Sequence, residues 1–296
     1  MTDRIVLGTA GLGMPYGISN KTGKPDLNSA CDIVKTAFDQ GITRFDTAQA
    51  YGDSEEVLGS VFDKLKIGSD SKVYSKLHPQ LDCCDPEAVQ RSVESSLRKL
   101  GLKQLEGLLL HHEDQLSFWD KGLGDALKGL VTQGKIKSIG VSFYTPQKAL
   151  AALDIEAIDM VQVPANILDR RFEDAGVFKK AQERNKKIFV RSIFLQGLLL
   201  MPLDQLPASM KYAQPFLRQI EEMASAMNLT RQELVLGYAA RQWPGSFVLF
   251  GAENSRQVLD NVKGFSSKTV FKFDDNIFKS VPENILNPML WPKSGD

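Results

Sequence analysis

Eight short runs rich in Val, Ile, Leu and Phe recur along the chain, at 5–7, 43–45, 73–75, 107–110, 136–141, 160–163, 188–191 and 247–250. Runs this short suit strands, and the longer stretches between them have helical period. Strands separated by helices cannot pair as hairpins, so the alternation favours a parallel sheet with crossover connections. Their ends fall near 7, 46, 76, 111, 141, 163, 191 and 250, and most intervals hold one strand and one helix. Eight such units in 296 residues fit an α/β fold of the (β/α)8 TIM-barrel type, whose usual length is ~250 residues. A doubly wound sheet is the alternative. Its phosphate loop needs a third glycine after Gly11-Leu12-Gly13, and Tyr16 stands there instead.

Local signals agree with this layout. Asp26 to Ser29 opens a helix that Gly41 closes. Asp85-Pro86-Glu87 opens another with a capping acid and a proline in its first turn, Gly101 ends it, and Thr145-Pro146 repeats the same start. The interval from 191 to 250 is too long for one unit. It reads as a loop over 196–212 and two helices, 216–227 and 231–242. A helix over 255–264 follows the last strand. No linker or low-complexity segment interrupts the chain, so residues 1–296 are expected to form one domain, with a tail from about residue 273 that lines the substrate pocket.

Lys plus Arg balance Asp plus Glu at 36 each. No basic excess points to nucleic acid or to a membrane surface. Three cysteines, two of them adjacent (Cys83 and Cys84), make neither a disulfide framework nor a zinc motif, and no metal is expected. The opening Met-Thr-Asp-Arg carries no apolar signal region, and no run approaches the roughly 20 apolar residues of a membrane helix. A cytoplasmic protein is expected, monomeric as barrels of this kind often are.

In such barrels the C-terminal strand ends face the active site. Asp46, Lys76 and His111 end strands two, three and four, and Tyr51 follows in the loop after strand two. A phenol has a pKa of about 10, a poor acid at neutral pH. A nearby ammonium lowers that value, a carboxylate holds the ammonium, and a histidine orients a carbonyl by hydrogen bonding. Singly, each of these residues is more often structural; together they form a proton-transfer set. His112 is the rival to His111, but it lies one residue past the strand tip.

The segment Asp46-Thr47-Ala48-x-x-Tyr51-Gly52-x-Ser54-Glu55-x-x-Leu58-Gly59 resembles the signature of the aldo-keto reductases. Gly107 to His111, Ile136 to Ser142 and Val161 to Asn166 resemble that family's fourth, fifth and sixth strands. The resemblance runs from Gly8-Thr9 to Asn261. It implies reduction of a small aldehyde or ketone, with Tyr51 as general acid, Lys76 and Asp46 tuning it and His111 orienting the carbonyl. It also implies a nicotinamide cofactor, NADP (NADPH) with NAD as the alternative. By resemblance the cofactor is held by Thr9, Asp46, Ser142, Gln162, Arg191, Ser192, Leu195 and Gly197, and by Gly251, Ala252, Ser255, Arg256, Gln257 and Asn261.

Three positions depart from the family pattern. Phe143 stands where an asparagine is common, Arg191 where an aromatic ring often stacks on the nicotinamide, and Gly251 where a lysine often meets the 2′-phosphate. Arg256 is the expected substitute for that lysine. Pocket walls are expected from Met14, Tyr16, Trp119, Phe143, Tyr144 and Trp291. A nicotinamide-binding regulatory subunit with little turnover is the alternative function, and a metal-dependent barrel lyase finds no ligand cluster.

Overall fold

A computed structural model gives the fold and describes residues 2–267, 278 and 280–292. Eight parallel strands close into a barrel in the order β1 (Ile5–Gly8), β2 (Arg44–Asp46), β3 (Lys72–Lys76), β4 (Gly107–Leu110), β5 (Ile139–Ser142), β6 (Met160–Pro164), β7 (Lys187–Arg191) and β8 (Phe247–Phe250). β8 pairs back onto β1 through Ile5–Val248 and Leu7–Phe250. The fifth strand begins three residues later than the sequence suggests. Ile136 forms only an isolated bridge with Leu105, and the continuous ladder with β4 starts at Ile139.

Helix boundaries follow the signals in the sequence. Asp26 caps Leu27–Asp39 through the Ser29 amide, and Asp85 caps Pro86–Leu100 through two amides, with Gly101 left-handed at its end. Thr145 is different. It precedes Pro146–Ala152 but makes no side-chain cap, because its hydroxyl donates to Glu113. The long interval before β8 holds Gln214–Ala226 and Arg231–Gln242, after a segment folded into short 3-10 turns. Ser255–Ser266 follows β8, capped by Asn254.

The strand period explains what reaches the mouth. Val6, Tyr74, Leu109, Met160, Phe189 and Leu249 pack against one another inside the barrel. Side chains two positions apart on a strand share a face. Two residues further along each chain stand Gly8, Lys76, His111, Gln162, Arg191 and Gly251. β2 keeps the same phase: the Arg44 guanidinium lies over the interior Phe247 ring, and Asp46 stands two residues on. Apart from Arg44, these interior positions are thus apolar at mid-barrel, and those two residues on are polar or bare at the mouth.

No helix among the described residues is long and apolar enough to cross a membrane. In the tail, Trp291 donates its indole N–H to the Ile285 carbonyl and packs against the core. The part from 268 to 277 lies outside the described residues.

Candidate active site

Lys76 and Asp46 form the most deeply buried ion pair of the mouth, with Nζ 2.6 Å from Oδ1. The ammonium also donates to the Thr47 carbonyl at 2.9 Å, and the second carboxylate oxygen accepts from the Gln162 amide at 2.8 Å. A buried pair is stable only when its remaining lone pairs and protons are satisfied, which these bonds do. Burial holds the Lys76 ammonium below its ordinary pKa, and the Asp46 charge opposes that shift.

A hydroxyl chain fixes the tip of β2. The Thr9 amide and hydroxyl both donate to the Asp46 carbonyl at 2.9 Å, Ser54 donates to Thr9, and Thr47 donates to Ser54. The strand then turns sharply into Tyr51. Gly13 and Gly52 sit backbone against backbone here. A Cβ on Gly13 would lie 2.0 Å from the Tyr51 carbonyl, and one on Gly52 would lie 2.2 Å from the Gly13 carbonyl. The glycine in the Tyr51-Gly52 pair is therefore a steric requirement of the turn that delivers the phenol.

Tyr51 meets His111 edge-on, with ring centroids 5.5 Å apart, and Lys76 Nζ lies over its ring at 4.8 Å. The four residues expected to act together are brought together. The electrostatics correct one expectation, however. Burial, and after it the Asp46 charge, hold the Tyr51 phenol above its ordinary pKa rather than below it. Burial disfavours the phenolate more than the neighbouring Arg191 charge favours it. His111 is pushed down to about 3, first by burial and then by the Lys76 charge, so its imidazole is neutral at physiological pH. Its Nδ1 is buried without a partner. His112 stacks obliquely on Tyr144 instead.

Between β1 and the β7–β8 loops lies a cavity of about 490 Å3, lined by Tyr51, Asp46, Gln162 and Arg191 at one end and by Gly251, Glu253, Gln257 and Asn261 at the other. Thr9, Ser192, Gly197 and Ala252 also line it. Leu195 does not: it is fully buried in the core packing. Ser255 and Arg256 lie outside the lining, and Arg256 points into solvent with its Nε 3.0 Å from Asp260. Ser142 is buried at the end of β5, behind the cavity wall.

The pocket residues divide. Tyr16 lines the cavity with 44% of its surface exposed, and its hydroxyl is held above its ordinary pKa, by burial first and then by Tyr51, with Arg191 opposing. Tyr144 carries the Arg191 guanidinium on its ring at 4.2 Å. Phe143 is fully buried, Trp119 packs on Gly124, and none of the described tail residues lines the cavity; Met14 is likewise outside it.

Several supporting residues are not visible as such in the sequence. Gln115 accepts the amides of His111 and His112 and donates to the His78 carbonyl, clamping the loop after β4. Glu113 accepts the amides of Tyr144 and Thr145 at 2.8 and 3.0 Å. Both sit in a polar run that reads as an ordinary surface loop, and only their burial identifies them. The loop after β1 is a third case. Ile18 donates to the Gln196 carbonyl, Lys21 to Gln205, and Gly197 (φ +92°) leaves no room for a Cβ, which would fall 2.0 Å from the Ser19 hydroxyl. The glycines at 17 and 23 were the available signal.

A barrel alone does not choose a function. The sequence profile of the Aldo/keto reductase family matches residues 4–281. The chain belongs to the aldo/keto reductase family. Two bacterial relatives share 24% identity with this aldo/keto reductase over 98% of its length. They are the aldo-keto reductase YhdN of Bacillus subtilis (strain 168), covered over 93% of its own length, and the L-glyceraldehyde 3-phosphate reductase of Escherichia coli (strain K12), covered over 94%. Among solved structures, an aldo-keto reductase from Klebsiella pneumoniae in complex with NADPH has a TM-score of 0.68 at 24% identity, over 90% of this chain and 87% of that one. That likeness shows the shared barrel.

Aldo/keto reductases use a nicotinamide cofactor, and this cavity fits one. It lies in the size range of ligand clefts, about 300–1,000 Å3. Bare backbone at Gly251 leaves the cleft open, since a Cβ there would meet only the Gly8 carbonyl, at 3.6 Å. Ala252, Glu253 and Gln257, which line that end, flank the start of the helix that follows; Asn254 caps its Gln257 amide, and the positive end of the helix dipole suits a phosphate.

Proposed function

We propose that this protein is an NADPH-dependent reductase of an aldehyde or ketone, with NADH as the alternative hydride source. The observation that supports it most strongly is the buried Asp46–Lys76 pair set beneath the ring of Tyr51, beside a neutral His111, at the wall of a cofactor-sized cavity.

A bound reduced nicotinamide supplies the hydride; the chain's own groups handle the proton. The raised pKa keeps Tyr51 in its phenol form, so a proton is present to give to the carbonyl oxygen. Lys76 under the ring stabilises the phenolate left behind, and Asp46 and Thr47 hold Lys76 in place. Neutral His111 donates a hydrogen bond to the same oxygen without competing as an acid. Gln162 and Arg191 flank the nicotinamide end, with Ser142 buried behind them, while Ser192 and Gly197 border the cleft further along. Gly251, Ala252, Gln257 and Asn261 border the adenosine end.

Arg256 is the partner we assign to the 2′-phosphate. Its present pairing with Asp260 is an exposed i,i+4 contact, worth roughly 0.3–0.5 kcal/mol, so little opposes its release. The test is turnover by Tyr51→Phe. Loss of the general acid should lower kcat by about 10²- to 10⁴-fold, with NADPH affinity nearly unchanged. A fully active variant removes the phenol from the mechanism.

A further inference from the structure

Among the described residues, no anion compensates Arg191 at the mouth. The Lys76 charge is matched by Asp46 and His111 is neutral; Lys21, also without an anion, lies further along the cleft, exposed to solvent and hydrogen-bonded to Gln205. The described residues give Arg191 no carboxylate partner. Its contacts are all neutral: the Phe143 carbonyl at 3.1 Å, the Ser192 hydroxyl at 3.3 Å and the Tyr144 ring. Its remaining N–H donors have no acceptor among the described residues.

The side chain is nonetheless held in place. Ser192 is in the left-handed region (φ +62°), which costs a non-glycine residue about 1–3 kcal/mol unless its surroundings impose it. Asn166 supplies that constraint by donating to the Ser192 carbonyl at 3.1 Å. On the other side, Glu113 fixes the backbone of Tyr144, under the guanidinium. A preorganised, uncompensated guanidinium in a cleft is an oxyanion receptor, because its planar fork matches a carboxylate. Arg191 lines the same cavity as Tyr51 and Tyr16, and its charge reaches both hydroxyls.

Resting on the reductase reading above, we propose that Arg191 selects a carbonyl substrate that carries a carboxylate. The carboxylate binds the guanidinium and takes no part in the bond changes. Hydride adds to the carbonyl carbon, the Tyr51 proton goes to the carbonyl oxygen, and the nicotinamide is oxidised.

The test compares kcat/KM for 2- and 4-carboxybenzaldehyde with that for benzaldehyde, in the unmodified enzyme, Arg191→Gln and Arg191→Lys, with NADPH affinity measured for each. The readout is the acid-to-neutral ratio, which a general loss of activity leaves alone. The unmodified enzyme should favour a carboxylated aldehyde. Losing the charged hydrogen bonds should lower that ratio about tenfold or more in Arg191→Gln, with partial recovery in Arg191→Lys. Benzoate should compete with the aldehyde in the unmodified enzyme and benzamide should not, which keeps the test available if Arg191→Gln fails to fold.

Turnover with no preference for the acid overturns the proposal. So does an unchanged ratio in Arg191→Gln with NADPH affinity lowered tenfold, which assigns Arg191 to the cofactor phosphates. Failure to bind either NADPH or NADH brings down the reductase reading itself, and this proposal with it.

Discussion

The two ends of the cavity are built differently. At the Tyr51 end, Asp46, Lys76 and Gln162, on β2, β3 and β6, are buried and partnered within the protein, on strands that the barrel holds rigidly. At the strand seven to eight end, the wall is loop. Ser192, Leu195, Gln196 and Gly197 all have positive φ, and the first loop of the chain leans on them through Ile18 and Ser19. Cations borne where strand gives way to loop also find weaker partners: Arg191, which ends β7 on the Tyr51 side, has only neutral ones, and Arg256, beyond β8, has an exposed Asp260. One end is fixed in place, as the proposed proton transfer requires. The other keeps its donors free for something that arrives.

Substitutions should separate the ends. The largest effect is expected from Lys76→Met, which strands the Asp46 carboxylate and removes a donor from the Thr47 carbonyl. Breaking one side of a buried pair costs about 3–5 kcal/mol, read from urea unfolding; a loss below 1 kcal/mol would mean that water reaches Asp46.

Acid should expose the same end next. Burial depresses the folded-state pKa of His111 to about 3, while an unfolded histidine titrates near its ordinary value. Between those values the unfolded chain binds the extra proton, so stability present at neutral pH is lost as pH falls through the ordinary histidine range toward about 3. His111→Asn should flatten that part of the stability profile, measured as urea midpoints against pH. An identical slope in the variant would assign the loss to other groups.

The loop end should respond less in stability and more in binding. Gly197→Ala places a Cβ against Ser19 at a positive φ, at an expected cost of about 1–2 kcal/mol. NADPH affinity should fall with it while the pH profile keeps its shape. Least affected should be Arg256→Ala. An exposed charge contact is worth about 0.2–1 kcal/mol, so NADPH binding should weaken by a few-fold and NADH binding not at all. Equal weakening of both would detach Arg256 from the 2′-phosphate.

The contrast also explains what was readable in the sequence. Strand-borne groups obey the two-residue period, so Asp46, Lys76 and Gln162 stand where the apolar pattern puts them, and the barrel followed from the same pattern. Gly52 was readable as part of a motif, but its reason, contact with Gly13, is a tertiary fact. Loop-borne groups have no such period. Leu195 turned into the core, Arg256 into solvent and Phe143 behind the wall, because positive-φ turns and helix phase decide those directions. Gln115 and Glu113 went unnoticed for the same reason: their partners are backbone amides, which leave no trace in residue type. The direction of the Tyr51 shift is not legible either, because its largest cause is burial, which residue type and spacing do not report.

The central claim is that this cavity holds a reduced nicotinamide against Tyr51. A fluorescence titration of the purified protein with NADPH, and separately with NADH, tests it most directly. Saturable binding of NADPH, tighter than that of NADH, is the expected result. Binding of neither would leave Asp46, Tyr51, Lys76 and His111 without a hydride to work with and would contradict the account.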